Sequence, residues 1–398
     1  MNVPVVSPPN SMPPPNPARF AALALGFRPF YLLAGVFATL SIGLWAAQLS
    51  GRVSSANLLQ ESHWHAHEML FGYAFAVIAG FLFTAVRNWT QRPTPAGAAL
   101  ALIASLWLCA RMLALTPWRE WAIVPDMLFA LAVAIGIGGP LVAAGNYRNV
   151  LFVFLVLALG AANLAFYAAL LGTAPFLPGL ALTVGLDVVL LIIAIIAGRV
   201  VPMFTNNAVP GAGARRIAAV EVAALGTVVA LLAADLYGHA RLAAVIAGAG
   251  ALAHAARLVL WSPLSTRRDP LLWILHASYA WIVVHLALRA GAGFGWIVPG
   301  LATHALTIGA IGGMTLGMMT RSALGHTGRP LAAGRAETAS YVLIQFAAAA
   351  RALVPIASPA LFLAASIASG VVWSLAFAIF TLAYWPILTR ARADGRPG

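Results

Sequence analysis

The stretch LFGYAFAVIAGFLFTAV, residues 70–86, runs for seventeen positions without a charge. Crossing the hydrocarbon of a bilayer takes roughly 20 predominantly apolar residues. With its flanks this run is long enough, and it reads as a membrane-spanning helix. Similar runs recur from residue 28 to residue 389. They segment into about twelve spans: 28–50, 66–86, 97–116, 121–144, 149–171, 178–204, 216–235, 239–262, 270–290, 297–319, 336–356 and 359–389. The breaks between them carry turn chemistry, as in RPTPAG (92–97), GNYRN (145–149), SPLSTRRDP (262–270) and TGRP (327–330).

Composition agrees. The chain is 62% hydrophobic and 8% charged, with a mean hydropathy of +0.91, where a soluble domain carries about 25% charged residues. The expected fold is therefore all-α, a polytopic membrane helix bundle. One transmembrane domain covers 21–390, between a proline-rich tail at 1–20 and a short tail at 391–398. The first tail, MNVPVVSPPNSMPPPNPARF, lacks the basic start and apolar core of a signal peptide. It is expected to be extended and disordered.

The net charge of +13 looks like a nucleic-acid signature, yet all 23 basic residues are arginines scattered singly or in pairs between apolar runs. That is how membrane topology is written. With the N-terminus inside, seventeen arginines fall on the cytoplasmic side and six on the outer side, so both termini are predicted to be cytoplasmic. Without lysine there is no phosphate loop ending in Gly-Lys. Cys109 is the only cysteine, which excludes an internal disulfide, a thiolate iron–sulfur cluster and a dicysteine copper site. A bound metal would rest on His, Met, carboxylate or backbone.

Just ahead of the opening run stands HWHAHEM, residues 63–69. In this topology His63, His65 and His67 sit at the outer boundary. His304, in GLATHALTIGAIGG, lies a few turns into the tenth span from the same side, roughly 10 Å deep at 1.5 Å per residue. His285 reaches a similar depth, whereas His276 and His254 lie nearer the cytoplasm. Ionisable residues inside a membrane default to a functional hypothesis, and imidazoles at one depth on separate helices make it metallic. On a regular helix His65 and His67 point about 200° apart, while His63 and His67 share a face; an extended segment would align all three. His276 and His285 face opposite ways. Gly309, Gly313 and Gly317 form a stripe pointing away from His304, better suited to close helix packing than to cradling a cofactor. Met314, Met318 and Met319 read as packing. HEMLF is no zinc-protease motif, because Phe71 replaces the second histidine of H-E-x-x-H.

At these residues the sequence resembles the NnrS family of bacterial membrane proteins. The matching stretches are FRPFYLLAG (27–35), WHAHEMLFGYAFAVIAGFLFTAVRNWTQRP (64–93), GRVVPMFTNN (198–207), LHASYAW (275–281) and HALTIGAIGGMTLGMMTRSALGHTGRPL (304–331). The resemblance implies about twelve helices, histidine-ligated haem with copper, and a part in the nitric oxide response, nitrosative stress or denitrification. It carries His65, His67, Glu68, Arg199, His276, His304, Arg321 and His326. A weaker similarity links HAHEM and HALTIGA to the catalytic subunit of haem–copper oxidases and nitric oxide reductases. That subunit's copper ligands have no counterpart in the sixth or seventh spans, and Ala302 stands where its second histidine would be.

The resulting expectation is a b-type haem near the outer face of the bacterial inner membrane, gripped by His304 and either His65 or His67, with Glu68 orienting an imidazole. The remaining imidazole, with His63, suits copper. His276 would serve a second metal or a proton or electron step, and Arg199 and Arg321 would pair with anionic groups or mark topology. The activity would be redox, on NO or a quinol. The competing reading is a secondary transporter with Asp187, in the sixth span, as coupling acid.

Overall fold

The computed structural model describes residues 20–53 and 62–396. Among them run twelve helices long and apolar enough to span a membrane: α1 Phe27–Leu49, α2 Ser62–Thr90, α3 Gly97–Ala114, α4 Glu120–Ala143, α5 Tyr147–Leu170, α6 Pro178–Ala208, α7 Ala218–Leu236, α8 Ala240–Leu260, α9 Pro270–Gly293, α10 Pro299–His326, α11 Arg335–Ala357 and α12 Pro359–Thr389. Each expected span has its helix. The boundaries moved most at the second and tenth. α2 begins at Ser62, so the histidine cluster is helical rather than extended. α10 continues to His326. The expected tail at 1–20 lies, Phe20 apart, outside the described residues.

Burial divides the helices into an inner and an outer set. The most apolar stretch of α2 is 83% buried and that of α10 78%, against 22% in α7 and 28% in α12. α6 and α9 are next most enclosed. The inner helices are also where the histidines of interest lie: His65 and His67 on α2, His276 and His285 on α9, and His304 on α10. Hydrocarbon offers no partner to a polar group, so ionisable side chains are kept to the inside. The outer helices show Val222, Val229, Leu375 and Leu382 to their surroundings.

Glycine sets how closely α9 and α10 approach. A Cβ on Gly309 would overlap Trp281, one on Gly313 would overlap Ser278, and one on Gly317 would come within 2.9 Å of Ile274. As the glycines ascend by four, their neighbours descend along α9, so the two helices zip antiparallel. This is the close-packing role expected for the stripe.

Two inner helices depart from α geometry at matching places. α2 switches to π-helix over Glu68–Ala74, immediately after the histidines. α10 does so over Ala305–Gly312, immediately after His304. Such segments offset everything before them around the helix axis, and they concentrate at functional sites.

The first and last helices meet at the arginine-rich end. Phe20 bridges Arg390, and the fully buried Arg28 donates to the carbonyls of Leu388, at 3.1 Å, and Arg390, at 2.7 Å. These carbonyls are among the unsatisfied acceptors that close a helix, and a guanidinium suits their partial negative charge.

Candidate functional site

The opposite, arginine-poor end of the bundle holds the two imidazoles that were expected to meet. His304 lies in the second turn of α10, where its Nδ1–H donates to the carbonyl of Gly300 at 2.6 Å. That bond fixes the tautomer and leaves Nε2 as a lone-pair donor, the arrangement seen in metal-bound histidines whose other nitrogen is held by a carbonyl. His65 lies one turn into α2. Its ring stacks flat on Trp45 near the end of α1, with centroids 4.9 Å apart and planes 4° from parallel. Neither of its nitrogens makes a hydrogen bond among the described residues. The two rings are electrostatic neighbours, and Arg351, near the end of α11, acts on both.

His67 turns away, as the 200° separation requires. It shares Phe166 with His63, so the four-residue pairing of those two also holds. Both nitrogens of His67 are taken: Nδ1 lies 2.9 Å from Glu68 Oε1 and Nε2 lies 2.8 Å from Asn163 Oδ1. Glu68 in turn faces Arg111 at 3.1 Å. Arg111 donates to Asp126 Oδ1 at 2.5 Å, and Tyr167 donates to Asp126 Oδ2 at 3.0 Å. Glu68, Asp126, Arg111 and His67 are each no more than 3% exposed. The group ties α2 to α3, α4 and α5, and it keeps both buried carboxylates close to positive or donor groups. Gly72 permits it, since a Cβ there would come within 2.7 Å of the Arg111 guanidinium. Sequence reasoning placed Arg111 only as a topological charge and missed Asp126, Asn163 and Tyr167. Two ionisable residues inside spans, Arg111 and Asp126, were the available signal.

The other expected site residues lie apart from His65 and His304. His276 Nε2 lies 2.9 Å from the Thr205 hydroxyl, and its buried Nδ1 has no partner. His285, on the other face of α9, donates from Nδ1 to Ala302 at 2.8 Å. His254 joins Tyr279 and Ala224, beside a pair in which Arg257 grips both carboxylate oxygens of Glu221. Arg199 donates to Asn149 at 2.7 Å, and Arg321 lies 4.2 Å over the ring of Phe204. Neither has a carboxylate partner among the described residues, which suits topological charges. Asp187 is fully buried and accepts from Arg289 at 2.8 Å; Arg289 also grips Asp235.

Among the described residues no group of three or more His, Cys, Asp or Glu side chains is arranged to hold a metal ion. A haem asks less of the chain, because the porphyrin supplies four of the iron's ligands and the protein one or two. The free nitrogens of His65 and His304 fit that requirement. Copper on His63 and His67 would first have to displace one of the two hydrogen bonds of His67.

Comparison with known proteins gives one family. No curated protein matches the chain. The family model described as NnrS protein matches residues 21–392, from just before α1 to just past α12. A twelve-helix bundle with histidines on its two most buried helices therefore belongs, over nearly its whole length, to the NnrS family.

Proposed function

We propose that this chain is a haem-binding protein of the bacterial inner membrane, with a b-type haem held near the outer face between His65 of α2 and His304 of α10. The NnrS family ties it to the membrane and to the nitric oxide response. One observation carries the haem reading further than the family does: two imidazoles on separate inner helices stand at the same end of the bundle, each with a nitrogen that makes no hydrogen bond among the described residues. One is fixed by the Gly300 carbonyl and the other by the Trp45 ring.

A haem so bound supplies one-electron chemistry, and where a ligand is displaceable it supplies a place for a diatomic gas. The residues do the rest. The Gly300 carbonyl orients His304 and raises the basicity of Nε2. Trp45 holds the His65 ring in one plane and covers one of its faces. His67 and Glu68 are support rather than ligands: they bind α2 to its neighbours and so fix the height and rotation of His65. NO and a quinol are the expected reactants. Copper remains a proposal that needs donors beyond the two nitrogens of His67 as they stand.

The test is the absorption spectrum of the detergent-purified full chain, with haem quantified against protein. The expected result is near-stoichiometric haem with sharp reduced α and β bands, lost in His304→Ala and in His65→Ala and retained in His67→Gln. A colourless protein from haem-replete cells overturns the proposal. It would favour the transport reading, for which the buried Asp187–Arg289–Asp235 group is the candidate coupling site.

A further inference from the structure

Among the described residues Arg351 is the charged side chain that acts on both candidate ligands, and one of its guanidinium nitrogens is buried without a hydrogen bond. It lies in the last turns of α11, at the same end of the bundle as Trp45, His65 and His304. The short opening segment of α10, Pro299–His304, packs against α11. The guanidinium of Arg351 lies 4.7 Å over the Phe362 ring at the start of α12. Its Nη1 is buried with no hydrogen-bond partner, and among the described residues no carboxylate lies within ion-pair distance of it. The other buried or half-buried arginines described at this end have carboxylates within ion-pair distance, Arg111 with Glu68 and Asp126 and Arg289 with Asp187 and Asp235, although Nε and Nη1 of Arg111 also lack a hydrogen bond. A guanidinium with a dry, unused N–H is costly in an apolar setting. Its planar fork of donors matches an oxyanion.

We propose that Arg351 is an anion-binding residue of the His65–His304 site and pairs with a propionate carboxylate of the bound haem. This rests on the haem reading above and names a contact that reading does not contain. A lipid phosphate offers the same oxyanion chemistry. The propionate is favoured because the unpartnered Nη1 of Arg351 lies at the same end of the bundle as the unused nitrogens of His65 and His304.

The experiment compares haem with its dimethyl ester, whose propionates are neutral, in full-length wild type and in Arg351→Gln and Arg351→Lys, in nanodiscs of neutral and of anionic lipid. Retention is read as the rate of transfer to a haem-scavenging protein. In wild type, native haem should be held about tenfold or more longer than the ester, as for the loss of one charge-assisted hydrogen bond. In Arg351→Gln native haem should leave as fast as the ester, and in Arg351→Lys the ratio should be intermediate. Each ratio is internal to one variant, so a general loss of stability cancels. A wild-type ratio preserved in Arg351→Gln overturns the proposal. So does an effect of Arg351→Gln that follows anionic lipid content rather than esterification. A wild type that takes up neither porphyrin overturns the haem reading itself, and this is seen before any variant is compared.

Discussion

Two positions along the chain take His65 to His67, and on a helix that interval sends their rings to different neighbourhoods. His65 meets an indole face and, among the described residues, its nitrogens make no hydrogen bond; His67 meets a carboxylate, an amide and a phenylalanine, and both nitrogens are used. The two should separate experimentally. His67→Gln should keep the haem spectrum while lowering stability by about 1–3 kcal/mol, the cost of an unsatisfied buried group, as read from thermal unfolding in detergent. Arg111→Met should be more damaging, by about 3–5 kcal/mol, because Glu68 and Asp126 would be left buried without their cation. Much of this was legible in the sequence: crowded imidazoles and an acid at a span boundary, and a matching histidine far along the chain. The choice between His65 and His67 was not, because it turns on whether the helix begins at Ser62 or at residue 66. The partners of His67 were hidden for another reason. Arg111, Asp126, Asn163 and Tyr167 come from three different helices, and no local pattern records which side chains those helices bring together.

Among the elements, α2 and α10 share a construction: a short α-helical opening bearing the candidate ligand, then a π segment, then a long α-helix. The extra residue held in the π segment sets the angle of the opening against the rest. Deleting Ile308, within the π segment of α10, should restore α geometry and turn His304 by about 100°. The expected outcome is a folded protein of normal size-exclusion profile with its haem bands lost or replaced by those of a single-histidine site. Glycine packing makes a second demand on the same helix. Gly313→Leu forces a side chain into Ser278 and Gln345, and overpacking of this kind costs about 1–3 kcal/mol. It should lower the thermal transition of the haem-bound protein, whereas Gly226→Leu on α7, where a Cβ meets nothing within 4 Å, should leave it unchanged. The glycine stripe was readable in the sequence as spacing. The π segments were not, since their sequences, EMLFGYA and ALTIGAIG, are as compatible with an α-helix.

Across the whole molecule, hydropathy alone located every one of the twelve helices, because hydrocarbon leaves a chain so few ways to satisfy its backbone. The arginine distribution then separates two ends, and the structure places Phe20, ahead of α1, and Arg390, after α12, together at the arginine-rich one. A reporter that fluoresces only in the cytoplasm should therefore light up when fused after residue 398, and remain dark when fused in the loop between α1 and α2. The contact of Arg28 with the carbonyls of Leu388 and Arg390, 360 and 362 positions away, has a consequence for biogenesis. A nascent chain presents that guanidinium long before the groups that receive it, 360 and 362 positions further on, have been made. The contact between α1 and the end of α12 can close only once α12 has been made, and a chain truncated before Leu388 would lack both carbonyls that receive Arg28.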